Sequence, residues 1–170
     1  MIEAIPEHVL TEADETQIAA LLRQCFPTNF GGRSFYQQRP TLRLVWREGG
    51  ILGHVALFCR AVRLDGELTD ILGLGDIATD PQARGWGIGT ALVQRALETG
   101  SAPFAVLFGA RTLYDRAGFK PVANPYLHVD MTGARTQAVV RRNSQFLKVR
   151  ARADRPWPEG AEVDFLGSLF

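Results

Sequence analysis

Apolar positions near the start of the chain recur with the spacing of a helix. The predicted helix begins at a Thr-x-x-Asp capping box headed by Thr11, runs for about 14 residues and ends before Pro27. Its apolar positions are Ile18, Leu21, Leu22 and Cys25. Before this helix, His8–Leu10 predicts a short strand. A helix with one apolar face needs a sheet or another helix to cover that face.

Three stretches with alternating apolar residues follow the helix. We expect strands at Leu42–Glu48, Ile51–Leu64 and Glu67–Thr79, because the turn pairs Gly49-Gly50 and Asp65-Gly66 separate them. Connections this short join antiparallel neighbours. The first half of the chain is therefore predicted to be an antiparallel meander.

The second half alternates helical and extended patterns. The expected elements are helix Ile88–Thr99 ended by Gly100, strand Phe104–Gly109, helix Ala110–Ala117, strands Phe119–Val122 and Leu127–Asp130, and a last strand Gln145–Ala151. This order predicts a mixed α/β fold, with a mostly antiparallel sheet, a parallel pair at its middle and flanking helices. No repeat or linker divides the chain, so residues 1–170 are predicted to form one domain.

Residues 27–40 fit neither a helix nor a strand pattern. Phe30 and Tyr36 lie near the glycine pair Gly31-Gly32, between two prolines. Two interpretations stay open. The segment is either the mobile edge of a binding site or a short helix at Ser34–Arg39 that packs its aromatic residues on the core.

Composition narrows the class of protein. The chain is 46% hydrophobic and 22% charged, and its net charge of +1 creates no general attraction to nucleic acid or an acidic membrane. The absence of a signal pattern or a long apolar run favours a cytoplasmic protein. Cys25 and Cys59 lie within apolar runs and lack the spacing of a metal site. We therefore expect no bound metal and two reduced, buried thiols.

A glycine-rich turn follows the third meander strand. Arg84, Gly85, Gly87 and Gly89 stand between the end of that strand and the start of the next predicted helix. Such a turn offers backbone N–H groups and the positive end of a helix dipole to an anion. The pattern is neither a dinucleotide fingerprint nor a Walker loop, because the glycine spacing differs and no lysine follows.

The segment Arg84–Gly89 reads R-x-x-G-x-G and resembles the pyrophosphate loop of GNAT-superfamily N-acetyltransferases. The resemblance implies that acetyl-coenzyme A is the acyl donor, and that its thioester lies where the central parallel strands splay apart. It also implies that the end of the preceding strand pairs with the pantetheine arm and offers N–H groups to the oxyanion. The implied cofactor-binding residues are Ile77, Ala78, Thr79, Arg84, Gly85, Trp86, Gly87, Ile88, Gly89 and Thr90.

A second motif strengthens the resemblance. The segment Tyr114–Phe119 reads Y-x-x-x-G-F, and in GNAT enzymes the tyrosine at this position commonly protonates the departing thiolate. A phenol with an unperturbed pKa near 10 suits that task. The alternative is a tyrosine that only packs its ring between a helix and the sheet.

The sequence departs from the family pattern at the position of the general base. GNAT enzymes often carry a glutamate or histidine where this chain has Gly73 and Gly75, which leaves room for a bulky acceptor. Asp76 is the nearest carboxylate, although strict alternation turns it to the other face unless a bulge intervenes. Further possibilities are Glu67, Asp70, His54 and a water relay.

Two subfamilies suggest an acceptor. The tyrosine segment and the tail Trp157–Asp164 resemble aminoglycoside 2′-N-acetyltransferases, and Arg39-Pro40 through Glu67 is similar to nodulation N-acyltransferases. Both act on a sugar amine, so the resemblance implies a small polar or amino-sugar-like substrate with a primary amine. The resemblance implies acceptor contacts at Gly73, Gly75, Glu162 and Asp164. It also implies a contact at Asn29, which stands where an acidic ligand would be expected, and the possible binding edge at residues 27–40 adds Phe30 and Tyr36.

Other functions stay open at this point. A GNAT-like module that binds acyl-coenzyme A without turnover would explain the missing base. The basic stretch Arg135–Arg155 is interpreted as a solvated face, but it would also fit an acyl-carrier-protein partner. A homodimer is left open too.

Overall fold

The computed structural model describes residues 1–170 and contains three helices and a ten-stranded sheet. The helices are α1 Glu12–Cys25, α2 Ile88–Leu97 and α3 Thr112–Arg116. The strands are β1 Ile2–Pro6, β2 Leu42–Arg47, β3 Ile51–Leu64, β4 Glu67–Thr79, β5 Phe104–Phe108, β6 Lys120–Pro121, β7 Tyr126–Asp130, β8 Ala138–Arg142, β9 Leu147–Ala151 and β10 Val163–Asp164. Single 3-10 turns occupy Glu7–Val9, Pro81–Ala83 and Thr132–Ala134. None of the helices combines the length and the apolar character needed to cross a membrane.

The first compact unit contains residues 1–58 and 74–99. In it β1 pairs antiparallel with β2, and β2 pairs antiparallel with the first part of β3. The Thr11 hydroxyl accepts a hydrogen bond from the Asp14 N–H at 3.1 Å, which confirms the predicted helix start. The helix then buries one face in a cluster of apolar side chains. The buried members of that cluster are Ile18, Leu21, Leu22, Phe30, Val45, Ile51 and Ala78.

The second compact unit contains residues 59–73 and 100–170. Here β9 pairs antiparallel with β5 and β6, and β8 pairs antiparallel with β7. The short β10 runs antiparallel to β3 and parallel to β7, with Val163 opposite Leu64 on one side and Tyr126 on the other. The strands β3 and β4 contribute residues to both units.

The predicted fold class is confirmed as a mixed α/β fold with a mostly antiparallel sheet and few helices. The bounds of β3 and β4 are those expected from the two turn pairs, and β5 and β9 lie where the apolar runs placed them. The strands β1, β8 and β10 had no counterpart in the prediction. The splay of the central strands stays a prediction.

Two local predictions in the first unit are wrong. Residues His8–Leu10 are not a strand, because Leu10 N–H donates to Glu7 O at 3.2 Å and closes a 3-10 turn. Residues 34–39 form no helix either. The Arg43 guanidinium donates to Ser34 O at 2.7 Å and so occupies the carbonyl that the first helical hydrogen bond would need.

The expectation of two buried thiols is also wrong. Cys59 is exposed on β3, directly after the buried run that ends at Phe58. Cys25 is half-buried at the end of α1.

Candidate active site

The glycine-rich loop between β4 and α2 is open. Gly85 and Gly87 have φ angles of 86° and 81°, which glycine adopts without steric cost. A Cβ atom at either position would meet no other atom within 4 Å. The main chain at these two glycines is therefore accessible, since no other atom stands where a side chain would begin.

The start of α2 presents unpaired donors beside that loop. No side chain caps Gly87, and the first helical hydrogen bond runs from the Ala91 N–H to Gly87 O at 2.9 Å. The N–H groups of Ile88, Gly89 and Thr90 are therefore free for a ligand. Arg84 and Trp86 are exposed next to them, the tryptophan at 65% of its surface. This arrangement has the charge and the donors that an anion such as a diphosphate needs.

The end of β4 is fixed on two sides. Ala78 is buried in the apolar cluster around α1, and Thr79 O accepts a hydrogen bond from Cys25 Sγ at 3.4 Å. The next residue, Asp80, donates its N–H to Leu52 O at 2.8 Å. These contacts fix the position of the backbone where β4 ends and the glycine-rich loop begins.

Asp76 interrupts β4 just before this end. Its φ of 49° lies in the left-handed region, which breaks the alternation of the strand and costs an aspartate about 1–2 kcal/mol. The carboxylate accepts a hydrogen bond from the Tyr36 N–H, while its Oδ2 is buried without a partner. Burial raises the pKa of Asp76 to about 7, although the Arg43 charge and the Tyr36 hydrogen bond act in the other direction.

His54 contacts the main chain of Asp76. The His54 ring is fully buried, with Nδ1 2.9 Å from Asp76 O and Nε2 3.2 Å from Arg43 Nη1. Burial and the neighbouring Arg43 charge lower the pKa of His54 to about 3. Because both ring nitrogens are engaged and the ring is neutral, His54 is not available as a base.

Arg43 is the anchor of this buried group. Its side chain has no exposed surface, and its guanidinium binds the Glu7 carboxylate through Nε at 2.6 Å and Nη2 at 3.0 Å. The two-point geometry fixes the plane of the guanidinium. Burial acts to raise the pKa of Glu7, but the hydrogen bonds and charges of Arg43 and Arg39 outweigh it and hold that pKa below its usual range.

The other two carboxylates considered as bases lie in different surroundings. Glu67 is exposed and paired with Arg155 at 3.2 Å, and Asp70 is exposed on β4. Neither of these two side chains is buried. Among the candidates named from the sequence, Asp76 is thus the one carboxylate prepared to exchange a proton near neutral pH.

Tyr114 lies in the second unit, on α3. Its residue surface is 7% exposed, and its ring occupies the space where a side chain at Gly109 would stand. Burial raises the pKa of Tyr114, with the Arg111 charge opposing. The phenol is therefore protonated at neutral pH and able to donate.

The predicted acceptor residues of the first unit differ in accessibility. Asn29 is exposed, whereas Phe30 is 4% exposed and packs between Phe26 and Tyr36 with ring centroids 5.4 and 5.8 Å away. Tyr36 is half-buried, and its N–H reaches Asp76. Residues 27–40 thus have aromatic side chains on the core, as one of the two interpretations held, although without a helix.

The predicted acceptor residues around β4 and the tail are partly covered. The space expected over Gly73 is filled by the Phe170 ring, so this position does not leave room for a bulky group. Gly75 is buried. Glu162 is paired with Arg141 at 2.8 Å, and Asp164 accepts the Leu166 N–H at 2.8 Å. Glu162 corresponds to one of the tail acids of the resemblance and Asp164 lies close by in the sequence, but each already has a local partner.

Much of the basic stretch Arg135–Arg155 is bound to the rest of the second unit. Five of its basic side chains have partners on this chain: Arg141 pairs with Glu162, Lys148 with Asp115 and Arg155 with Glu67, while Arg150 donates to Ala117 O and Arg152 to Gly100 O. These contacts tie strands and loops of the second unit together.

The sequence interpretation missed Arg43 and Glu7. A signal was present, because Arg43 shares the face of β2 with Val45, a buried apolar residue. An arginine on an otherwise buried face requires a carboxylate or carbonyl partner. The sequence does not show which partner, since Glu7 and Arg43 are separated by α1 and the loop that follows it.

Comparisons with known proteins bear on this geometry. A family model described as the acetyltransferase (GNAT) domain matches residues 8–122. No curated protein matches the chain.

Solved structures of similar fold carry the same description. The GNAT family N-acetyltransferase YhbS from Escherichia coli, in complex with CoA, is 22% identical with a TM-score of 0.62, covering 97% of this chain and 88% of that one. A GNAT family acetyltransferase from Brucella melitensis, in complex with acetyl-CoA, is 23% identical with a TM-score of 0.55, covering 96% and 94%. A GCN5-related N-acetyltransferase from Anabaena variabilis is 24% identical with a TM-score of 0.58, covering 72% of this chain and only 33% of that protein. At such identities the likeness concerns the fold.

Proposed function

Because the chain belongs to the GNAT acetyltransferase family, we propose that it is an enzyme that transfers an acetyl group from acetyl-coenzyme A to a primary amine. The observation that carries the proposal is the open main chain at Gly85 and Gly87 beside the unpaired N–H groups of α2. The Escherichia coli and Brucella relatives, whose structures hold CoA and acetyl-CoA, support it. We further propose that residues 1–170 form one acyltransferase domain, because β3 and β4 run through both units.

The loop is proposed to bind the diphosphate of the donor. The N–H groups of Gly87 to Thr90 would donate to its oxygens, and Arg84 would add positive charge at the rim. The main chain of Ile77 to Thr79 would hydrogen-bond the pantetheine arm as an added strand, and its N–H groups would stabilise the developing oxyanion. When bound, the donor supplies an activated thioester carbonyl.

Asp76 is proposed as the general base. A carboxyl with a pKa of about 7 is partly ionised at neutral pH and can take the proton of the acceptor ammonium. Its buried Oδ2 has no protein partner and is the free acceptor for that proton. The neutral amine then attacks the thioester carbonyl, which forms the C–N bond as the C–S bond breaks. The nitrogen releases its second proton to water, the departing sulfur takes the proton of Tyr114, and the tyrosinate is reprotonated from water.

Tyr114 is proposed as the general acid. Its buried phenol, with a raised pKa, remains protonated until it transfers a proton to the departing sulfur. The Y-x-x-x-G-F motif supports this role of Tyr114.

The acceptor is proposed to be a small polar, amino-sugar-like amine, contacted from the exposed or half-buried positions Asn29, Tyr36, Glu162 and Asp164. The resemblance to aminoglycoside and nodulation acyltransferases supports this class. Because Glu162 is already paired with Arg141, we expect weak attraction for a polycationic drug and preference for an acceptor with a single ammonium.

A direct test is acetyl transfer to a panel of amines. The panel should include a simple amino sugar, an aminoglycoside, a polyamine and an amino acid, and the loss of thioester absorbance should be followed. A thiol reagent is less suitable, because the exposed Cys59 would also react. Turnover with any amine supports the proposal. Binding of acetyl-coenzyme A without turnover would support a non-catalytic module instead, and activity restricted to carrier-protein donors would support a carrier-protein-dependent acyltransferase.

A further inference from the structure

The buried row Glu7–Arg43–His54–Asp76 ends on a main-chain atom of the proposed base. Arg43 Nη1 lies 3.2 Å from His54 Nε2, and His54 Nδ1 lies 2.9 Å from Asp76 O. An arginine only donates and a carbonyl only accepts, so the partners determine the tautomer of the histidine. Nε2 must be the acceptor, and Nδ1 must carry the proton that is donated to Asp76 O.

The far end of the row is rigid. Arg43 Nη1 also donates to Ser34 O at 2.7 Å, and its Nε and Nη2 bind both oxygens of Glu7. A guanidinium held by three groups cannot swing without leaving a buried donor unpaired, which costs about 1–3 kcal/mol. The position of His54 Nε2 is thereby set by residues on β2 and on the turn before α1.

The near end of the row is where the backbone is strained. Asp76 holds a φ of 49° within a strand, and a conformation of this kind persists only when its surroundings over-determine it. The hydrogen bond from His54 fixes the carbonyl of the same residue, and the Tyr36 N–H fixes its carboxylate. The direction of the buried Oδ2 follows from these two restraints together.

We infer that His54, supported by Arg43, is a positioning residue that holds the left-handed turn of Asp76 and so aims its carboxylate at the acceptor amine. The inference rests on the proposed function, since it assigns the aim of the proposed base. Charged and titratable groups that face Asp76 are Arg43 from β2 and His54 from β3, with Glu7 behind Arg43. The main-chain N–H of Tyr36 completes its surroundings.

A matched pair of substitutions separates positioning from packing. In His54→Asn the amide nitrogen stands near the place of Nδ1 and can still donate to Asp76 O. In His54→Gln the amide reaches the place of Nε2, so the contact with Arg43 is kept and the donor to Asp76 O is lost. Each variant keeps one of the two buried hydrogen bonds. A residue with only a packing role would show similar effects in both.

The experiment compares these variants with wild type and Asp76→Asn in kcat, KM for acetyl-coenzyme A, and the pH profile of kcat/KM. We expect His54→Gln to lower kcat by about tenfold to a hundredfold with an unchanged KM for the donor. We also expect the acidic limb of its profile to move to lower pH, because a released carboxyl becomes better hydrated. His54→Asn should keep most of the activity and the wild-type limb.

The outcomes distinguish the inference from the function on which it rests. Equal losses in the two His54 variants, or a wild-type profile in His54→Gln, would overturn the positioning role while an inactive Asp76→Asn upheld the base. Full activity in Asp76→Asn would overturn the base, and the positioning role with it. If His54→Gln does not fold, the inference is tested with His54→Asn alone. A wild-type acidic limb in the pH profile of that variant supports the positioning role, and a shifted limb contradicts it.

Discussion

The Phe170 ring lies directly against Gly73, so that a Cβ at this glycine would come within 2.8 Å of two ring carbons. Phe170 is itself 8% exposed and lies within an aromatic group with Phe108 and Phe165, at centroid distances of 6.2 and 5.9 Å. The Arg60 guanidinium stands over the ring at 5.8 Å. The ring is therefore held on its other sides and has little freedom to move away from β4.

Gly73→Ala is expected to destabilise the protein by about 1–3 kcal/mol, because the added methyl overpacks this contact. Phe170→Ala alone should also destabilise, by about 3 kcal/mol through lost burial. The double variant should lose less than the sum, since the small residue at 170 makes room for the methyl. Urea unfolding of the three variants measures this. Gly50→Ala is the control, because its Cβ would make only an ordinary 3.6 Å contact; strict additivity at positions 73 and 170 would contradict the packing described.

Gly87→Ala is expected to weaken the affinity for coenzyme A, because the methyl would stand in the open space above the loop. Its φ of 81° also costs alanine about 1–2 kcal/mol of stability. Gly66→Ala is a matched control, with a φ of 79° and equally open surroundings in a hairpin turn. Both variants should lose similar stability in urea, while calorimetry should show weakened binding in Gly87→Ala alone. Equal affinities would contradict the assignment of the loop.

Tyr114→Phe is expected to reduce kcat about a hundredfold and leave the affinity for acetyl-coenzyme A nearly unchanged, because only the proton donor is removed and the ring still fills its place beside Gly109. Steady-state kinetics and binding calorimetry measure the two effects. Tyr126→Phe, another buried tyrosine of the same unit, is the control and should retain activity. Unchanged turnover in Tyr114→Phe would remove this residue from the mechanism.

Asp76→Asn should become progressively more stable than wild type as the pH rises from 4 to 7. The folded pKa of Asp76, about 7, lies above its ordinary value of 3.8, so the stability that its carboxyl contributes is present below pH 4 and lost as the pH rises to 7. The difference between variant and wild type should grow by about 1.4 kcal/mol per pH unit. Denaturant unfolding at several pH values measures it.

Wild type alone would conceal this dependence. The folded pKa of His54, about 3, lies below its ordinary value of 6.5, so its contribution is present above pH 6.5 and lost as the pH falls toward 3. Between pH 4 and 6.5 the two contributions have opposite slopes and largely cancel. Asp70→Asn, which removes an exposed carboxylate from the same strand, should follow wild type, and a similar rise in that control would show that the effect does not belong to Asp76.

Local signals explain which elements could be predicted. The turn pairs at Gly49-Gly50 and Asp65-Gly66 delimited β3, and Thr11 marked the start of α1, because each signal lies within the segment that it shapes. The strand β8 is exposed on nearly every residue and β10 has only two, so neither carries an apolar pattern. Their extended conformation depends on pairing with β7, which a local pattern does not reveal.

The proposed site divides along the same line. The loop from Arg84 to Gly89 offers its own main chain to a ligand, so the local sequence pattern was enough to predict it. The direction of the Asp76 carboxylate, in contrast, depends on the φ angle of Asp76. His54, 22 residues away, contacts the carbonyl of Asp76 and is itself contacted by Arg43 on a different strand. Alternation predicted that Asp76 faces away from Gly73 and Gly75, and the left-handed φ of Asp76 interrupts that alternation.

The exposed indole of Trp86 lies within the glycine-rich loop, so its fluorescence should report when a ligand binds there. Trp46 and Trp157 are less exposed and hold hydrogen bonds to Glu48 and Asn124, so neither should respond strongly to events at the loop. Quenching of the long-wavelength emission on titration with coenzyme A would thus follow its arrival without any label, in wild type and in each variant alike.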